Sequence, residues 1–146
     1  MPELTMNDPV GLVWDDLETR ITSLEEVRQN KIRHYTAQQF LMEAKTLRLP
    51  AVAVVYQSST SQNQQTGLSS LSVELQFGVY VIGDLSRNKG GENLTTTEVT
   101  KRIVDAIKNQ RSPMGHPYLF GGEFPFDTGV GVGYVHYWNT KAQFTN

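Results

Sequence analysis

A stretch of strict alternation between apolar and polar side chains, residues 69–82, constrains the fold more than any other feature. Its sequence is SSLSVELQFGVYVI, in which every second residue from Leu71 to Val81 is apolar. An alternation of period two places the two sets of side chains on opposite faces of a β-strand. We therefore predict one long strand here, with a core face and a polar face.

Length and composition narrow the class of protein. At 146 residues the chain is expected to form one domain with one core. The formal net charge of -2 and the scattered lysines and arginines argue against an electrostatic nucleic-acid binder. The chain has no cysteine, which excludes disulfides and thiolate metal sites. No signal peptide and no membrane-spanning run is visible, so we expect synthesis and assembly in the cytosol.

Three segments have the spacing of amphipathic helices. The first covers residues 8–30, with Asp8 or its neighbour as the cap and Pro9 at the first helical position. The second covers residues 36–47 and stops before Pro50. The third opens at a capping box, Thr95 to Glu98, and ends before the turn sequence RSPMGHP at 111–117.

Strands occupy the remaining patterned segments. Residues 50–57, PAVAVVYQ, are apolar on both faces and predict a strand buried on both sides. A polar, uncharged segment follows, and we predict a mobile hairpin arm at 57–68. The C-terminal part alternates again and predicts a second hairpin. The expected fold is α+β, with the order α-α-β-β-α-β-β and a single domain over 1–146. Its four-stranded, mainly antiparallel sheet would have two or three helices packed on one face.

The candidate chemical motifs are weak. The glycines at 129–133 are spaced like part of a dinucleotide-binding loop, but a strand follows them instead of a helix, so no helix N-terminus can hold a phosphate. Adjacent carboxylates such as Asp15 and Asp16 point about 100° apart on a helix and do not converge on one proton. We expect no catalytic residue, no cofactor and no metal ion, and we expect that the protein is not an enzyme.

A minor alternative uses the histidines. His116 and His136, with Asp127 or Glu123, could form a metal site or line a ligand pocket. The three histidines of the chain lie in different segments, however, and no two have the spacing of a recognised ligand pair.

Aromatic residues cluster late in the chain: Tyr118, Phe120, Phe124, Phe126, Tyr134, Tyr137, Trp138 and Phe144. A sheet covered by helices on one face would hide about half of them. Aromatic side chains on an uncovered face are typical of a partner surface, and self-association is the simplest form of partnership. The alternative is a well-filled core with a few exposed rings.

Several segments together resemble the phage tail terminator family, the group that includes the lambda tail terminator and the Mu-like minor tail proteins. The matching segments are the first amphipathic helix, LPAVAVVYQ (49–57), VYVIGD (79–84), the capped helix TTTEVTKRIVDAI, and the closing hairpin with YLFGGEFPF and GVGVGYVHYWNTKAQF. The similarity is one of pattern and spans most of residues 8–145.

The resemblance implies a structural virion protein that catalyses no reaction. Family members form a ring, usually a homohexamer, that caps the tail tube, stops its polymerisation and offers a head-joining surface. The implied partners are other copies of the chain, the tail tube protein, the head-side connector or neck protein and, as a further candidate, the sheath. The implied location is the tail or neck of the virion, assembled in the host cytoplasm without membrane contact, with DNA only as passing cargo.

On this interpretation we predict an assembly interface that combines the arm, the polar face of the long strand, the turn after it and late aromatic residues. Its predicted members are Gln57, Ser58, Gln62, Gln64, Glu74, Gln76, Tyr80, Arg87, Lys89, Tyr118, Phe120 and Trp138. Two alternatives stay open. One is another role in the same particle, a head–tail connector or neck protein or a tail tube-type subunit. The other is a small cytosolic ligand-binding or hydrolytic α+β domain with a pocket at His116, Asp127 and His136.

Overall fold

The chain forms three helices and four strands in the part that a computed structural model describes, residues 8–24, 34–43, 51–61, 70–82, 96–127 and 132–145. The elements are α1 (Pro9–Thr22), α2 (Ala37–Glu43), β1 (Ala51–Ser61), β2 (Ser70–Ile82), α3 (Thr96–Ile107), β3 (Leu119–Asp127) and β4 (Val132–Thr145). All strand pairs are antiparallel, and the sheet order is β1-β2-β4-β3. The predicted order of elements and the α+β fold are confirmed.

Helix α1 begins as predicted and ends earlier. The Asp8 side chain accepts a hydrogen bond from a backbone N–H of the first turn at 2.9 Å. After Thr22, the Ser23 hydroxyl donates to the carbonyl oxygen of Arg20 at 2.6 Å. Such local side-chain bonds compete with continued helix and favour its end. Residues 25–30 of the predicted helix lie outside the described residues.

The long alternating strand is confirmed as β2, which has 13 residues and lies between β1 and β4. We call the side of the sheet that carries Phe77 the helix face, and the side that carries Gly78 the opposite face. Helices α1 and α3 pack on the helix face, where they bury one apolar core. Its fully buried members include Val13, Leu17, Ile21, Leu75, Phe77, Val79, Val81, Ile103 and Ile107.

Helix α2 lies on the opposite face, so the described helices are not confined to one side. Its Phe40 is fully buried against Ala51, Ala53 and Ile82. The ring of Phe40 also meets the ring of Tyr80 edge-on, with the centroids 6.4 Å apart. The packing of helices on one face therefore holds for α1 and α3 only. The α2 contact explains why the first half of β1 is apolar on both faces.

Strand β1 continues into the segment predicted as a mobile arm. Its outer half, from Ser58 to Ser61, pairs with β2 from Gln76 to Val73. The pairing shifts register between Tyr56 and Ser58, which marks a bulge. Polar side chains do not prevent ladder formation, because the hydrogen bonds of a ladder come from the backbone. Residues 57–61 are thus strand, and residues 62–68 of the predicted arm lie outside the described residues.

Strand β3 forms one edge of the sheet and contains a second bulge. Its register against β4 shifts between Phe120 and Glu123, so that two glycines stand at one position of the ladder. Gly122 has a φ of 118°, a backbone angle that residues other than glycine rarely adopt. The bulge therefore depends on glycine, and it sets the direction of the side chains on either side of it.

Candidate functional site

A band of polar side chains crosses three strands on the opposite face, beyond the area that α2 covers. In the ladder, Ser58 of β1 lies beside Gln76 of β2, which lies beside Asn139 of β4. The next polar row joins the same strands through Thr60, Glu74 and Lys141. All six side chains are exposed or half-exposed. We call this set the polar band. Three predicted interface residues, Ser58, Glu74 and Gln76, are thereby brought together on one surface.

Tyr80 lies where the polar band meets the aromatic part of the opposite face. The Gln57 amide donates to the Tyr80 hydroxyl at 3.4 Å, and the Tyr80 ring meets the Phe126 ring edge-on at 5.4 Å. Burial raises the pKa of Tyr80. Both side chains approach Gly78 closely, because a Cβ added there would come within 3.0 Å of each. Gln57 and Tyr80 therefore belong to the same surface as the polar band.

Strand β3 presents three apolar side chains to solvent. Leu119, Phe120 and Phe124 are about half exposed, at 51%, 52% and 52%. Phe120 lies on the helix face and meets Trp138 edge-on at 5.3 Å, whereas Phe124 lies on the opposite face 5.8 Å from Tyr137. We call these three residues the edge patch. The edge patch therefore exposes apolar side chains on both faces of one edge strand, and exposed apolar surface of this kind is typical of a contact with another protein.

Two predicted interface residues, Tyr118 and Trp138, belong to the core of the single chain. They are 4% and 1% exposed. Trp138 falls on the helix face of β4, beside Phe77 in the ladder, and is covered there. The Tyr118 hydroxyl donates to the Asp16 carboxylate at 2.5 Å. Sequence alternation assigned these rings to a strand, but it could not show which face the helices would cover.

Tyr118→Phe is expected to lower the free energy of unfolding by about 1–2 kcal/mol, because it removes a hydrogen bond to a partly buried carboxylate. Assembly should be unchanged, since the ring stays in place. Urea denaturation measures the first effect and light scattering the second. Tyr134→Phe is the control, because the described contacts give that half-buried tyrosine no hydroxyl hydrogen bond. A loss of assembly without a loss of stability would return Tyr118 to the interface.

Four predicted interface residues cannot be placed on this surface. Gln62, Gln64, Arg87 and Lys89 lie outside the described residues.

The histidines considered for a pocket are spread along the sheet. The carbonyl oxygen of His116 accepts a hydrogen bond from Thr140, which is four residues from His136 along β4. At ~3.3 Å per strand residue, four residues span about 13 Å. In the ladder, Asp127 lies beside Val132, a further four residues away. The described geometry does not bring His116, Asp127 and His136 together, so it does not support a ligand pocket formed by these three residues.

His136 instead pairs with Glu123 on the neighbouring strand. The His136 Nε2 and a Glu123 carboxylate oxygen are 3.1 Å apart, without hydrogen-bond geometry, and the imidazole is fully buried. Burial lowers the pKa of His136, and the Glu123 charge opposes that effect only in part. The neutral imidazole is therefore the favoured form, and the pair is a packed element of the helix face.

A cluster that sequence analysis missed joins two carboxylates of α1 to His34. The His34 Nε2 is 2.6 Å from the Asp15 Oδ1 and 3.3 Å from the Glu18 Oε1. Asp15 and Glu18 are three residues apart and share one side of the helix, a signal that was available in the sequence. His34 lies nineteen positions after Asp15, and this spacing does not predict a contact between His34 and the two carboxylates.

Comparison with known proteins leaves the family open: no family model matches the chain, and a search of curated proteins finds no match.

None of the described helices is long and apolar enough to cross a membrane.

Proposed function

We propose that the protein is a structural virion subunit, a tail terminator whose copies form a ring that caps the tail tube and receives the head-side connector. The edge patch carries the proposal, because three half-exposed apolar side chains on one edge strand suit a contact with another protein. The second support is the polar band, a broad surface of mostly uncharged side chains on a sheet face.

The two surfaces suit a ring because they lie at different places on the sheet. In a closed ring each copy contacts its two neighbours through two different surfaces. The edge patch lies on β3, at one side of the sheet, whereas the exposed outer half of β1, Ser58 to Ser61, lies at the other. A contact between the β3 side of one copy and the β1 side of the next is head-to-tail, the kind of contact from which rings are built when successive rotations close.

The first experiment is the mass of the purified protein by light scattering, with negative-stain images of the same sample and of the sample mixed with tail tubes. Closed rings of about six copies, or capped tubes of defined length, would support the proposal. Long tubes formed by the protein alone would identify a tube-type subunit instead. Rings that bind head connectors but leave tube growth unaffected would favour a connector or neck protein. A monomer that ignores tube ends contradicts the proposal.

Replacing Phe120 and Phe124 together by serine is expected to raise the concentration needed for ring formation or tube capping by about tenfold or more, because central aromatic contacts dominate interface energies. Circular dichroism and urea denaturation should show a folded protein, since both rings are half exposed. The control is Met42→Ser on α2, which removes an apolar side chain that is 73% exposed. Equal assembly of the double variant and the control would exclude the edge patch from the interface.

A further inference from the structure

The Asp15, Glu18 and His34 cluster has the composition of a metal site. One imidazole nitrogen and two carboxylate oxygens lie within 4.8 Å of one another. Zn²⁺ binds such atoms at about 2.0–2.2 Å in a tetrahedral arrangement, which places ligand atoms roughly 3.3 Å apart. The distance from His34 Nε2 to Glu18 Oε1 is already 3.3 Å, and that to Asp15 Oδ1 is 2.6 Å. A small increase in the distance between His34 Nε2 and Asp15 Oδ1 would make room for the ion.

The orientation of the imidazole is fixed by a neighbouring ring. His34 stacks on Trp14, with the ring centroids 4.2 Å apart and the planes 10° from parallel. The Trp14 indole is itself held in place, because its N–H donates to the carbonyl oxygen of Val54 at 2.8 Å. The core thereby positions the indole, and the indole positions the imidazole with Nε2 toward the carboxylates. The stacking therefore limits the rotation of the imidazole.

Glu18 supplies a second, independent observation. Its side chain is only 12% exposed. One carboxylate oxygen faces His34, and the other is buried without a hydrogen-bond partner in the described structure. A buried carboxylate with an unsatisfied oxygen is costly unless a cation or a proton compensates it. Burial accordingly raises the pKa of Glu18 to about 7.

We infer that Asp15, Glu18 and His34 bind a divalent transition metal, with Zn²⁺ the best fit. A nitrogen ligand beside two carboxylates favours Zn²⁺ over Mg²⁺ or Ca²⁺, which prefer oxygen ligands alone. Asp15 and His34 are partly exposed, so the ion can enter from solvent and keep a water as its fourth ligand. The ion would connect α1 to the segment that leads into α2. This inference is independent of the proposed ring.

The competing explanation is an ion pair between a protonated His34 and the two carboxylates. Both arrangements use the same three side chains, but they differ in their response to metal. An ion pair needs a proton on the imidazole and gains nothing from Zn²⁺, whereas a metal site releases that proton when the ion binds.

The test is isothermal titration calorimetry of Zn²⁺ into the full chain after treatment with EDTA, with Mg²⁺ as the comparison ion. We expect one Zn²⁺ per chain and an increase of several degrees in the midpoint of thermal unfolding at a large excess of Zn²⁺. Mg²⁺ should produce neither effect. The Trp14 fluorescence should change on binding, because the indole stacks on a proposed ligand.

Variants assign the ion to this site. His34→Gln and Glu18→Gln should each weaken Zn²⁺ binding by about tenfold or more. Glu18→Gln keeps the size of the side chain, so it remains informative if His34→Gln folds poorly. The matched control is His116→Gln, a half-buried histidine on the turn before β3, which should bind as the parent does. No Zn²⁺ uptake by the parent, or undiminished uptake by both cluster variants, overturns the inference.

Discussion

Phe77→Ala is expected to lower the free energy of unfolding by about 3–5 kcal/mol, enough to leave a small domain barely folded. Phe77 is fully buried near the middle of β2, one of the two inner strands, which pairs with β1 on one side and β4 on the other. Its ring contacts Tyr56 and Trp14, with centroids 5.5 and 6.1 Å away, and lies beside Trp138 in the ladder. Truncation would leave a cavity between the sheet and α1 that these large rings cannot fill.

The measurement is equilibrium urea denaturation, read as a shift of the midpoint at constant slope. Leu71→Ala is the matched control, because Leu71 lies on the same strand and the same face but is 38% exposed. Leu71→Ala should lower the free energy of unfolding by about 1 kcal/mol or less, because the Leu71 side chain buries a smaller area than Phe77 does. Similar losses of unfolding free energy for the two variants would mean that Phe77 does not lie at the centre of the core.

Glu18 is expected to make the metal-free protein less stable as the pH rises from about 4.5 to 7. Burial raises the folded pKa of Glu18 from 4.5 to about 7, so the folded protein binds this proton more tightly than the unfolded chain does. The protonated carboxyl therefore favours the fold below pH 4.5, and this contribution is lost as the pH rises through 7. One pKa unit corresponds to ~1.4 kcal/mol, so the full loss for a rise from 4.5 to about 7 is on the order of 3–4 kcal/mol.

The comparison of the parent with Glu18→Gln isolates that effect. Glutamine resembles the protonated carboxyl and does not titrate, so the two proteins should have similar stability near pH 4.5, and the variant should be more stable at pH 8. His136 titrates in the opposite sense: burial lowers its pKa, and its contribution declines as the pH falls below its unfolded value. That contribution is present in both proteins and cancels. Urea denaturation in EDTA gives the profiles, and parallel profiles would contradict the prediction.

The alternation of β2 predicted the sheet well because a single buried face dictates which side chains must be apolar. Val73, Val79 and Val81 are all buried on that face, as the pattern requires. The N-terminal cap at Asp8 was equally local, since it depends on one side chain and the first turn. Such features need no knowledge of distant contacts, and both were predictable.

The contacts that required the folded chain were not predictable. Phe40 has the same spacing signal whichever face of the sheet it packs against, so the position of α2 was undetermined. Tyr118 is buried in the core of the helix face, where Asp16, far away in sequence, accepts its hydroxyl hydrogen bond. The cluster of Asp15, Glu18 and His34 depends on the path of the chain between α1 and α2. Glu74, Gln76 and Tyr80 followed from the alternation of β2, because the ladder preserves it, whereas Ser58 reaches the same face only after the bulge in β1.

The bulge of β3 has a consequence for how copies of this chain can associate. An exposed strand edge with free N–H and C=O groups is a template for a further strand, and repeated strand addition leads to fibres. The bulge at Gly122 twists that edge, and Pro125 removes one N–H from it. Contacts at β3 are thereby directed to side chains instead of backbone ladders. The chain can therefore expose apolar side chains on β3 while the strand edge itself resists the repeated strand addition that leads to fibres.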